Sequence, residues 1–387
     1  MGWRLTAERL LPRTLLALLA LALVGVLLAL WSGPADAQTT FTVNRTGDGN
    51  DREINGVCDA SRKRGKQCTL RAAIQEANDT PGADTINFNI GGTAGVKTIS
   101  PASALPTITD TVTINGYTQQ GASENTLAEG NDAVLKIQLN GANAGTVSGL
   151  AIQAANSTIK GLVINRFGGD GVVFFGPGTT GNKVEGNFIG TDTSGTQDLG
   201  NSIRGVAIVT GASNNTIGGT VAEARNIISG NDDDGVGITG GTGNRVLSNQ
   251  ISQNTGLGID LGGGGVTNND TDDPDTGANN LQNFPVIASA TRSSTTGFTT
   301  IEGTLNSNPS QNFLIQCFLT DEAAASSHGE GSILLDTTSR ATDAGGDTSF
   351  QCDSQVPEAG QTVTATATNT VTGDTSEFSE NEIVFQP

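Results

Sequence analysis

Four aspartates fall within the eight residues Asp270 to Gly277, at Asp270, Asp272, Asp273 and Asp275, and a glycine closes the run. Carboxylate oxygens at that density suit Ca²⁺, a hard cation that takes about six to eight oxygen ligands. The loop lacks the closing glutamate of an EF-hand, and acidic runs are also common as plain solvated turns. The expectation is a structural Ca²⁺ at most, with no cofactor required. A second acidic group, Asp232, Asp233 and Asp234, sits where a turn meets a strand at Gly235. Joined by Asp192 or Asp260 it would supply the paired carboxylates of an inverting glycoside hydrolase. No basic or histidine partner for proton transfer is placed near these acids, and the single histidine, His328, lies between Ser327 and Gly329 as a loop residue would.

Sugar faces commonly stack on tryptophan or tyrosine, yet Trp3 and Trp31 both lie in the first 37 residues and Tyr117 is the lone tyrosine. Phe174 aligns with inward-facing Ile208 and Ile238, so at least half of the Phe174-Phe175 pair belongs to the core. The chain carries 20 Lys+Arg against 39 Asp+Glu, a net charge of −19. Such a balance repels phosphate backbones and anionic lipid, which excludes nucleic acid and peripheral membrane docking and favours cations.

Positioning these residues falls to many short strands. Asn182 to Ile189, Asn215 to Gly219 continuing at Asn226 to Ile228, and Asn244 to Ile251 share one pattern, and Ser157 to Ile164 is a fourth copy without the asparagines. Each is followed by a strand opening at Gly171, Gly205, Gly235 or Gly258. The aligned Asn182, Asn215 and Asn244 are 33 and 29 residues apart. A unit of that size without helical periodicity fits one coil of a right-handed parallel β-helix, a solenoid whose coils stack at about 4.8 Å. Stacking puts Ile159, Val184, Ile217 and Val246 in one inward column and Ile164, Ile189, Ile228 and Ile251 in another. The asparagines are expected to hold turns and one another rather than a ligand.

Upstream, Thr69 to Asn78 predicts a short helix with Leu70, Ala73, Ile74 and Ala77 on one face, placed to cap the first coil. Downstream, residues 285 to 387 give about seven strand-like runs, the size and rhythm of an immunoglobulin-like sandwich. The expected class is therefore all-β: a parallel β-helix with an N-terminal capping helix and a C-terminal immunoglobulin-like β-sandwich. The expected divisions are a leader at 1–37, a cap region at 38–100, the β-helix at 101–283 and the sandwich at 284–387.

The leader is predicted from Arg4, Arg9 and Arg13 ahead of the uncharged run Leu15 to Leu30, with Ala35 and Ala37 as the small residues before a cut at Gln38. The apolar run is also long enough for an uncleaved N-terminal anchor. Either way the remainder is exported, with 17 Lys+Arg against 37 Asp+Glu after position 37. All four cysteines follow, as a close pair, Cys58 and Cys68, and a distant pair, Cys317 and Cys352. An even number outside the cytoplasm predicts two disulfides. A metal site is the rival reading, although no CxxC is present.

The stretch from Cys58 through Gln67 to Asn78 resembles the CSLREA-domain proteins of bacteria, exported parallel β-helix proteins named for the motif Cys-Ser-Leu-Arg-Glu-Ala. Similar segments lie at Gly161 to Gly171, Gly186 to Asp192, Gly256 to Leu261 and Leu281 to Pro285. Thr69 stands where the motif has serine, and Ala72 where it has glutamate, so the helix keeps its N-cap hydroxyl and loses the reciprocal carboxylate of a capping box. The resemblance implies a bacterial secreted or cell-surface protein and brings no catalytic residues to carry over. The expected function is a monomeric, non-enzymatic adhesion or interaction scaffold facing an extracellular surface or polysaccharide. The alternative is a carbohydrate-active enzyme, a polysaccharide lyase or glycoside hydrolase, working in the groove.

Overall fold

The computed structural model describes residue 1 and residues 38–62, 67–92, 95–320 and 326–387. Apart from Met1, the expected leader lies outside the described residues, and so does the alternative anchor. No helix among the described residues is long and apolar enough to cross a membrane.

Strands dominate. A seven-stranded parallel sheet runs, in order, through Thr40–Val43, Asp84–Phe88, Val112–Asn115, Thr158–Lys160, Lys183–Glu185, Thr216–Gly218 and Arg245–Leu247. The second parallel sheet holds Lys97–Ile99, Ile137–Asn140, Leu162–Asn165, Phe188–Ile189, Ile227–Ser229 and Gln250–Ser252. The third holds Leu150–Ile152, Val172–Phe175, Val206–Val209, Val236–Ile238 and Ile259–Leu261. Beyond them stand two antiparallel sheets. One comprises Val286–Arg292, Thr299–Asn306 and Asp347–Ser354; the other Ile333–Ala341, Asn312–Thr320, Thr362–Asn369 and Glu382–Ile383.

This architecture corrects the expected fold class. Among the described residues no closed solenoid is detected, so the right-handed β-helix is replaced by three open parallel sheets. The expected immunoglobulin-like sandwich is replaced by antiparallel sheets of three and four strands. The corners supply the reason. Left-handed backbone at Asn156, Arg166, Thr210, Asn214, Ser248 and Gln253 turns the chain sharply between sheets and confines most parallel strands to three or four residues. The regular ladders are short and separate, and only single backbone bonds, such as Asn156 N–H to the Thr180 carbonyl and Gly181 N–H to the Asn214 carbonyl, run through the corners.

Within the parallel sheets the predicted columns are present. Ile159, Val184, Ile217 and Val246 are register partners in the first sheet, and Ile164, Ile189, Ile228 and Ile251 in the second. Phe174 is fully buried between its neighbours in the third. The asparagines form more than the one expected row. Asn182 donates to Asn215, and Asn215 to Asn244, at 2.9 and 3.1 Å. Asn187, Asn226 and Asn249 repeat this at the second corner, and Asn201, Asn231 and Asn254 at the third. Each amide also takes a backbone N–H of the preceding pass, so the turns carry their polar groups inward and satisfied.

The one α-helix among the described residues, Leu70–Asp79, buries Leu70, Ala73, Ile74 and Ala77 and lies against the first two strands of the first sheet. Thr69 caps it, accepting the Ala72 N–H at 3.1 Å and donating its hydroxyl to the Gly49 carbonyl. Ala72 is itself fully buried, which accounts for the missing glutamate: a carboxylate there would need a buried partner. Glu76, also buried, accepts the Asn55 and Gly56 N–H groups and holds the preceding loop. Replacing Thr69 by alanine is expected to cost about 1 kcal/mol, read as a shift in the denaturation midpoint. No change would mean that the cap is redundant.

Both expected disulfides are present, Cys58–Cys68 and Cys317–Cys352. The first ties the loop to the helix; the second joins the two antiparallel sheets through the strands Asn312–Thr320 and Asp347–Ser354. The metal alternative for the cysteines is thereby set aside, and two disulfides are compatible with an extracytoplasmic location.

The antiparallel part closes the last edge of all three parallel sheets. Val246 N–H donates to the Thr375 hydroxyl, Ser248 N–H to Gln316 Oε1, Ile251 N–H to the Gly331 carbonyl and Leu261 N–H to Glu377 Oε1. Asn254, which ends the third asparagine row, is received by Glu330. Donors that would otherwise face water as an open edge are thus paired by the residues that follow.

Candidate functional site

The loop between the strand Ile259–Leu261 and the strand Val286–Arg292 folds its acids together. Ligand oxygens of Asp270, Asp273 and Asp275 all lie within 4.8 Å of one another, so this triad could hold a metal ion. Left-handed backbone at Asp272 and Asp273 makes the tight turn that brings the three round. Asn283 pins the loop, accepting the Asp270 N–H at 3.1 Å and donating to the Asp270 carbonyl at 2.7 Å. Asp273 is 5% exposed and accepts from Gln282 Nε2, the Asn283 N–H and the Ser307 hydroxyl.

Oδ1 of Asp270 and Oδ1 of Asp275 are buried without a hydrogen-bond partner. Burial drives the Asp273 carboxyl up to about 6, against the pull of Ser307 and Asn283, and the charges of Asp275 and Asp270 add to the rise. Burial and Asp270 likewise raise Asp275. Three crowded carboxyls, two of them with an orphaned oxygen, form a donor set that a hard cation would satisfy. The fourth expected ligand, Asp272, lies outside the triad. Its N–H donates to Asn306 at 2.8 Å, and its carboxylate lies beside Gly346.

The acids considered for catalysis part ways. Asp232 is exposed, and Asp233 is half-exposed 3.5 Å from Arg204. Asp234 is buried, accepting from Arg204 Nε at 3.2 Å and from the Leu257 N–H at 3.0 Å. Burial raises its pKa, and Asp233 and Asp260 raise it further. Asp260, also buried, receives the N–H groups of Gly263 and Gly265. Asp192 closes its own loop by accepting from Ser194, Thr196 and Gln197; although burial opposes it, these bonds hold the carboxyl below its ordinary value. Asp234 and Asp260 therefore come together while Asp192 does not join them, and each is occupied with backbone amides. His328 bonds the Phe378 carbonyl through Nδ1 and rests edge-on against Phe284. Two surface clefts of about 240 and 400 Å³ lie elsewhere and are lined by none of these acids.

Arg204 was absent from the sequence-based set, although a signal existed. Asp170, Arg204 and Asp234 each precede the glycine that opens a third-sheet strand, so aligned repeats alternate in charge. The Arg204 side chain lies over Gly237, where a Cβ would meet its Cδ and Nε, and only glycine leaves it room. Glu377 gave no signal: it lies between the strands Thr362–Asn369 and Glu382–Ile383, outside any repeat, is 2% exposed and accepts the N–H groups of Leu261 and Thr267. No known protein-family model matches this chain, and no curated protein sequence does.

Proposed function

We propose that the chain is an exported, non-catalytic interaction scaffold of a bacterial surface or its medium, of the CSLREA type its motif resembles. On this reading residues 1–37 are a cleaved leader and Ca²⁺ braces the junction at Asp270, Asp273 and Asp275. One observation carries the interaction role. The outward face of the seven-stranded sheet aligns Thr40, Thr85, Thr113, Thr158, Lys183 and Thr216 in one register column, exposed or half-buried. Hydroxyls repeating at about the strand spacing of 4.8 Å offer a long polar contact line, suited to a linear polysaccharide or a surface polymer.

Affinity electrophoresis against neutral and acidic polysaccharides tests this. Retardation that is lost in a Thr113→Glu/Thr158→Glu double variant is expected, and a panel that leaves both proteins unretarded would sink the polysaccharide reading. For the junction, Ca²⁺ at about a hundred times its Kd adds about 2.7 kcal/mol of stability. That gain disappears in Asp270→Asn/Asp275→Asn; a gain persisting there places the ion elsewhere.

The alternative, a polysaccharide lyase or glycoside hydrolase, draws on one observation, the buried proximity of Asp234 and Asp260. Release of new sugar ends by the parent and not by Asp234→Asn would favour it.

A further inference from the structure

Asp84 opens the second strand of the seven-stranded sheet and is 1% exposed. Its Oδ1 accepts the Thr39 N–H at 2.8 Å, but its Oδ2 is buried with no partner. Asp110 is the charged group facing it among the described residues, and like charge so close makes the orphaned oxygen worse placed. Burial, then Asp110, raise the Asp84 carboxyl. None of the ion pairs among the described residues gives either acid a basic partner. Among the described residues this corner lacks a cation, and one residue before Thr39 stands Gln38, held over the same strand by its Nε2 to the Thr85 hydroxyl at 3.3 Å.

We propose that cutting the Ala37–Gln38 bond supplies that cation: the new α-ammonium of Gln38 seats against Asp84 Oδ2, with Asp110 behind it, and locks the first strand onto the sheet. The step is an ordinary hydrolysis by a leader peptidase. Water gives its hydroxyl to the Ala37 carbonyl carbon, which leaves as a carboxylate, and the Gln38 nitrogen becomes an amine protonated at neutral pH. Asp84 is thus a binding site for the chain's own processed end, and the uncut protein holds its first strand less firmly. The proposal rests on the cleaved-leader reading above.

Two proteins decide it: the chain beginning at Gln38, and the same chain preceded by a Gly-Ser-Gly-Ser tail. At pH 6, hydrogen exchange in the strand Thr40–Val43 is expected to be roughly tenfold slower with the free terminus. The ratio should fall to about one at pH 3, where Asp84 is protonated, and to about one at pH 6 in Asp84→Asn. Equal exchange at pH 6, or a ratio that survives Asp84→Asn, overturns the proposal. If Asp84→Asn does not fold, the collapse of the ratio at low pH is the deciding result, and its persistence there overturns the pair. An N-terminal glutamine can cyclise with loss of ammonia, so the comparison is repeated with Gln38→Ala, which keeps its amine. Intact mass of the exported protein separately reports the cut: a start other than Gln38 overturns the leader reading and leaves the recombinant comparison standing.

Discussion

Replacing Asn215 by leucine lowers the stability of the parallel sheets by about 3 kcal/mol, measured by urea denaturation. The side chain is fully buried and bonded on all sides. Its Oδ1 accepts the Asn182 N–H and Asn182 Nδ2 at 3.1 and 2.9 Å, while Nδ2 donates to the Thr179 carbonyl and Asn244 Oδ1, both at 3.1 Å. Leucine matches the volume but leaves the Asn182 N–H with no partner, at about 1–3 kcal/mol before relaxation, while Asn182 Nδ2, the Thr179 carbonyl and Asn244 Oδ1 each lose one bond and keep another, to the Ala154 carbonyl, the Ser213 N–H and the Asn215 N–H. Thr216→Val, the next residue but outward-facing, should stay within about 0.5 kcal/mol and serves as control. A loss under about 1 kcal/mol for Asn215→Leu would show that the row tolerates gaps.

Stability in EDTA falls as pH rises from 5 to 8. Glu377 is raised to about 7, by burial first, against the pull of the Leu261 and Thr267 N–H groups and with Asp260 facing it; Asp273 is raised to about 6. Both values lie above those of the unfolded chain, so the folded protein holds these protons more tightly. Their contribution is therefore full below the ordinary carboxyl range and is lost as pH climbs through 6 and 7. For Glu377 the loss is on the order of 3 kcal/mol. Calcium at the triad favours ionised Asp273 and removes that residue's share of the slope, leaving the Glu377 share, which Glu377→Gln should abolish. Asp192, held below its ordinary value, loses its contribution only at lower pH and does not mask the trend. Stability that rises across the interval in EDTA would contradict both assignments.

What could be read from sequence was whatever repeats. Ile159, Val184, Ile217 and Val246 announced their column because every pass spends the same inward position on a branched apolar residue, and Asn182, Asn215 and Asn244 marked one corner by recurring. The other two asparagine rows follow the same rule and were visible in outline at Asn187, Asn226 and Asn249. Closure of the strands into a solenoid did not follow from those columns, because inward spacing says nothing of how the backbone ladder behaves at a left-handed corner. Of the acidic loop, three ligands of four converge. Asp272 turns aside because its N–H is taken by Asn306, a partner 34 residues away. Glu377, Glu330 and Gln316 were illegible for a similar reason: each meets its partners across 68 to 116 residues, with no local pattern to reveal it.

The pairing of Val246, Ser248, Ile251 and Leu261 by later residues gives the molecule a polarity in time. A chain threaded outward from its N-terminus can lay down every parallel strand before the last hundred or so residues emerge. Until they do, the growing face is adhesive, able to accept one more strand from any source, including a sibling chain at the same stage. The final sheets act as a terminator, converting a surface that could propagate from molecule to molecule into one that is finished. A frameshift beyond Pro285 would therefore do worse than delete a module, since it would release a chain still ready to polymerise.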